Sequence, residues 1–156
     1  MKNLNLGQSI GILANLGVLV GVLLLVYELN QNRALMAAQT SDSVSQAVVS
    51  ALQLSAGNSE LADIVGRADA GEDLSPTEQY QFTTYAISWF RIWENQDYQY
   101  RVGLYDESEF AAVRRAWFFR LQHEQALRAV WCVLGEQFSA DFYADVNGAL
   151  GDSRCE

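Results

Sequence analysis

Residues 10–27, from Ile10 to Tyr27, read IGILANLGVLVGVLLLVY. No charge interrupts this run, and Asn15 is its one strongly polar residue. Widened to Gly7 and Leu29, it takes in Gln8, Ser9 and Glu28 at its ends. About 20 apolar residues at 1.5 Å rise per residue cover the hydrocarbon core of a bilayer. A buried core helix so uniformly apolar would be out of scale with a small domain. A cleaved signal peptide needs small residues at its end. This run leads instead into Tyr27-Glu28-Leu29-Asn30-Gln31-Asn32-Arg33. The expectation is therefore one transmembrane anchor over residues 1–30, uncleaved and embedded in the lipid bilayer.

Small residues gather on one side of this helix. At 100° per residue, Gly7, Gly11, Ala14, Gly17 and Gly21 fall within an arc of about 120°, with Asn15 at its border. Gly7/Gly11 and Gly17/Gly21 are both G-x-x-x-G pairs. Such a face lets a second helix come close, which is what drives association in lipid. The partners expected from it are other transmembrane helices, in a homo-oligomer or a larger membrane complex. Lys2 and the terminal amine precede the run and Arg33 follows it, so the orientation is nearly undecided, the strict count slightly favouring an inside N-terminus and an outside domain.

Between Gly21 and Gly57 there is neither glycine nor proline, which predicts a helical extension of the anchor over 31–57. Val44, Ala47, Val48, Ala51, Leu52 and Ser55 repeat at 3–4 spacing and form one apolar face. An acidic helical domain is expected over 58–150, and a flexible tail over 151–156. In that domain a short helix from Glu60 to Ala70 is capped by Asn58 or Ser59. Ser75-Pro76-Thr77-Glu78 is a helix start with serine cap, proline in the first turn and glutamate three residues later. Gly103 stops that helix.

The Ser75–Gly103 helix is the aromatic heart of the chain, carrying Tyr80, Phe82, Tyr85, Trp89, Phe90, Trp93, Tyr98 and Tyr100. From Tyr85 to Trp93 it is apolar nearly all round, as a central helix is. One polar stripe remains, Gln81, Thr84, Ser88, Arg91 and Asn95, which reads either as an exposed edge or as a polar ligand groove. Asp106 and Glu109 open a further helix, with a break near His123. Gly135 interrupts the next segment, and Ser139 caps a last helix with Phe142, Tyr143 and Val146. The fold class is all-α: one N-terminal transmembrane helix, then a bundle of about four to six helices.

The 156 residues carry 10 basic and 19 acidic side chains, a formal charge of −9. An acidic domain repels phosphate backbones, so nucleic acid is not an expected partner. Lys2 is the one lysine. Of the two cysteines, Cys132 is expected to pack as a small hydrophobe, and Cys155 to lie in the tail. A bridge between them requires that tail to fold back.

Little here carries chemistry. His123 is the only histidine, and its neighbour Glu124 points elsewhere on a helix. Asp106, Glu107 and Glu109 lack the spacing of a calcium loop. Asp141 and Asp145 share a helix face with no matched ligand. There is no phosphate loop and no nucleophile elbow. The expectation is no catalytic residue, no metal and no cofactor.

Val26-Tyr27-Glu28-Leu29-Asn30-Gln31-Asn32-Arg33 after the apolar run, and Glu94-Asn95-Gln96-Asp97-Tyr98-Gln99-Tyr100-Arg101-Val102-Gly103-Leu104-Tyr105-Asp106-Glu107 further on, lead to tryptophan-bearing helices and a terminal Phe138…Phe142 segment. Together they resemble a group of small bacterial proteins of unknown function with one N-terminal transmembrane helix and a compact helical domain. The resemblance implies a single-pass protein of the bacterial inner membrane. It also implies a cytoplasmic domain, because members place several basic residues after the span; this chain has only Arg33 there. The functions expected are a non-catalytic accessory or assembly subunit of a membrane protein complex, or else a membrane-tethered sensor or ligand-binding bundle.

Overall fold

The computed structural model describes residues 6–151 and residue 155, with the backbone alone at Leu6. Lys2, and residues 152–154 and 156 of the expected tail, lie outside the described residues. In chain order the elements are α1 (Leu6–Gly57), α2 (Ser59–Asp69), α3 (Pro76–Arg101), α4 (Glu107–His123), α5 (Gln125–Leu134), a 3-10 turn (Gly135–Gln137) and α6 (Ala140–Leu150). No strand occurs among the described residues, and the fold is all-helical. The chain divides into two compact units, Met1–Ala38 and Gln39–Glu156.

In the first unit, α1 is long and apolar enough to cross a membrane. Every Ile, Leu and Val from Ile10 to Leu29 is exposed, and so is Tyr27. A hydrophobic surface of that size, bare within the first unit, is costly in water and costless in hydrocarbon.

The second unit starts at 39 rather than at the expected 58, because the end of α1 belongs to its core. Val44 is buried, and Val48 and Ala51 pack against the core. Leu52, expected on the same face, is instead exposed. Asn58 caps α2 by accepting from the N–H groups of Glu60 and Leu61. Ser75 and Glu78 form the expected reciprocal capping box at the start of α3. Gly103, at φ +74, takes the left-handed backbone that ends α3. Ser139 precedes α6 as expected, but its side chain makes no capping bond.

α3 is the central element and packs on α2, α4, α5 and α6. Phe82, Ala86, Trp89, Phe90 and Trp93 are its buried apolar residues, whereas Tyr80 and Tyr98 face outward. The aromatic heart is thus narrower than the composition of α3 suggests. Phe90 meets Trp93, Trp131 and Phe138 edge-on at 5.4, 5.2 and 5.8 Å between centroids. Trp117 stacks on Trp93 at 5.9 Å and meets Phe110 and Phe142 edge-on. Such pairs contribute about 0.5–1.5 kcal/mol each beyond area burial. Gly135 lets the chain turn here, since a Cβ would stand 3.1 Å from both Trp131 and Tyr143 ring carbons.

The expected tail contains a covalent tie: Cys155 is disulfide-bonded to Cys132 of α5, with Cα atoms 5.6 Å apart. Cys132 is thus a bridging residue rather than a simple packing one. Spacing alone could not reveal this, because it depends on where α6 directs the chain end.

Candidate functional site

The small-residue face of α1 is open. Gly7, Gly11, Ala14, Asn15, Gly17 and Gly21 are all exposed within the first unit. A Cβ at any of these four glycines would have no neighbour within 4 Å. Among the described residues of the first unit, packing does not require glycine there.

The polar stripe of α3 divides in two. Gln81, Thr84 and Ser88 line a shallow cleft of about 250 Å³ with Leu54, Asn58, Leu61, Tyr80 and Tyr85. Its walls are mostly apolar, and two of its hydroxyls are already committed. Thr84 donates to the Tyr80 carbonyl at 2.9 Å and Ser88 to the Tyr85 carbonyl at 2.6 Å. Gln81 differs: its Oε1 is buried and accepts no hydrogen bond among the described residues.

Arg91 and Asn95 are not in this cleft. Arg91 donates to Glu94 at 2.6 Å and lies over the Phe138 ring at 4.3 Å. Glu94 in turn accepts the Ser139 N–H at 2.6 Å, fixing the corner before α6. Burial pushes the Glu94 carboxyl up, but the Ser139 N–H and Arg91 together hold it below the usual range. Asn95 accepts from Gln99 one turn on. This half of the stripe is structural.

Asp141 and Asp145, unmatched in the sequence reading, both find arginines. Arg114 grips Asp145 through two bonds, of 2.9 and 2.6 Å. Arg101 pairs with Asp97 and with Asp141. These ion pairs border a wider cleft of about 530 Å³ that also includes Tyr100, Arg115 and Phe118. Its charges largely neutralise one another.

A cluster that sequence reasoning missed surrounds Arg120. Its guanidinium lies 4.6 Å from the Trp89 ring and donates twice to Glu124, both bonds at 2.7 Å, and to the Tyr85 hydroxyl at 3.2 Å. The four-residue spacing of Arg120 and Glu124 was its only trace, and the helix break near His123 obscured it. The nearby Asp69 carboxyl is raised by burial and by the negative charge of Glu124.

His123 is exposed, stacked on Phe119 at 4.2 Å, with Nδ1 2.7 Å from the Phe119 carbonyl. Among the described residues, no three of His, Cys, Asp and Glu are grouped so as to hold a metal ion. Asp106 serves helix α4, accepting from the N–H groups of Ser108 and Glu109. Compared with known proteins, the chain matches no family model, no curated protein and no solved structure.

Proposed function

We propose that this chain is a single-pass membrane protein, anchored through α1, that acts as a non-catalytic accessory or assembly subunit of a membrane complex. The observation that carries this reading is the face of Gly7, Gly11, Ala14, Gly17 and Gly21, which is exposed and free of packing demand within the first unit. In lipid, apolar surface gains little by leaving other apolar surface, so close backbone approach is what glycine supplies to a partner helix. The second unit suits such a role: Arg67, Arg91, Arg101, Arg114 and Arg120 are held in internal ion pairs, and all four tryptophans lie in the core. The test is purification in mild detergent from the native host. A defined partner, or a homo-oligomer, is expected; a monomer throughout would refute the subunit reading.

A second reading, a membrane-tethered ligand-binding bundle, is favoured by one atom. Gln81 Oε1 is buried beside the cleft without a donor. A small apolar ligand with one N–H or O–H group would meet that acceptor. Gln81→Leu would abolish its binding and leave partner association intact.

A further inference from the structure

We propose that the second unit, 39–156, lies on the oxidising side of the membrane, where the Cys132–Cys155 bridge forms and fastens the chain end to α5. This rests on the membrane-anchor reading above and departs from the cytoplasmic placement implied by the resemblance.

The first observation is the bridge itself. The chain has two cysteines, and they meet across 23 residues with a Cα separation of 5.6 Å. That separation is within the range of an unstrained disulfide. Cytosolic glutathione and thioredoxin keep such thiols reduced, whereas exported domains retain their bridges. Forming the bond takes two protons and two electrons from the Cys132 and Cys155 thiols. The electrons pass by thiol–disulfide exchange to an oxidised dithiol carrier protein of the compartment, which leaves as the dithiol.

The second observation is independent of the first. Retention of a flank in the cytoplasm depends on lysine and arginine within about 15–20 residues of the span. After Leu29 this chain has Arg33 and then no basic residue until Arg67. Asp42, Glu60 and Asp63 lie between them. Arg33 alone opposes export of that flank, against Lys2 and the terminal amine on the other side of the span.

The bridge also has a structural consequence. Cys155 is exposed while Cys132 is half-buried on α5, so the bond ties Cys155 to a packed helix. Chain ends are otherwise the first segments to fray.

The full chain can be tested in a Gram-negative host. Cells are quenched in acid, free thiols blocked with N-ethylmaleimide, and the protein then reduced and treated with a polyethylene glycol maleimide. Two added polymer chains are expected, and only after reduction. Protease added to intact spheroplasts should digest the second unit. A protein whose thiols are all blocked before reduction overturns the proposal. So does a second unit that resists protease until the spheroplasts are lysed. Cys132→Ser provides the second arm: its remaining Cys155 thiol should react with a membrane-impermeant maleimide in intact spheroplasts, and failure to react until lysis overturns the assignment. Release by alkaline carbonate with the bridge intact would refute the anchor and retain the compartment.

Discussion

The indole N–H of Trp117 donates to Oε1 of Gln96 across 3.0 Å, inside the aromatic core, with each residue only 2% exposed. A buried amide is tolerated because the indole meets it, and the indole because the amide does. Removing one partner is therefore worse than removing both. Gln96→Leu should leave the Trp117 N–H without an acceptor and cost about 1–3 kcal/mol. In a double-mutant cycle with Trp117→Phe, the combined loss should be smaller than the sum of the single losses. Thermal unfolding in detergent, followed by near-ultraviolet circular dichroism, measures both. Strict additivity would mean that the bond contributes nothing.

Trp93 offers a harsher probe of the same core. It is buried, stacked on Trp117 and edge-on to Phe90. Trp93→Ala removes those contacts and leaves a cavity, at a cost of about 3–5 kcal/mol. That is a large part of a small domain's stability, so a fall in melting temperature of more than about 10 °C is expected. Tyr80→Ala, on the outward side of α3, should change it little. Equal effects would contradict the division of α3 into an inner and an outer face.

Acid should loosen the α2–α3 junction. The Glu78 carboxyl is held down to about 2 by its bond to Arg67, helped by the Ser75 N–H and hydroxyl. A carboxyl whose folded pKa is depressed stabilises the fold above its unfolded value and ceases to do so as pH falls through the folded one. The contribution of Glu78 is thus complete above about pH 4.5 and lost on the way to about pH 2. Asp106, held low by Ser108 and Glu109, and Glu94 act in the same sense. Asp69, which is raised, acts in the opposite one. Glu78→Gln should lower stability at pH 7 and flatten its decline below pH 4.5. Melting curves of both proteins from pH 7 to pH 2.5 would reveal an unchanged slope if the capping box were inconsequential.

Signals that act over a few residues were legible in the sequence. Ser75 with Glu78, Asn58 before α2 and Gly103 after α3 work through backbone groups within one turn, so spacing identifies them. What depends on a distant neighbour was not legible. Leu52 satisfies the periodicity of Val44, Val48 and Ala51 and still faces outward, because the core covers only part of that face. Gln96 and Asp97 look like surface residues until Trp117 and Arg101 are brought to them. The polar stripe of α3 is continuous at helical spacing, but its surroundings are not. Gln81 meets a cleft with α1 and α2, while Arg91 meets Phe138 thirty-odd residues beyond the end of its own helix. The arc of small residues on α1 follows from helical spacing alone, whereas what that arc meets does not.

That face leads to the sharpest test of function. At the exposed Gly17 and Gly21 a Cβ has no neighbour within 4 Å, so a larger side chain is accommodated within the first unit. An obstacle to it would come from a partner. Gly17→Ile and Gly21→Ile keep the stretch apolar, so insertion and the second unit's melting behaviour should be unchanged. Each should nevertheless hold a neighbouring helix away and release the protein from its assembly. Leu19→Ile adds the same β-branched side chain about 160° around the helix from both glycines. It should change nothing, and so separates the position of the substitution from its chemistry. Native-gel migration and co-purification of the wild type and the three variants provide the readout. If the two glycine variants keep the wild-type assembly, the small residues are incidental to it, and α1 serves as a tether alone.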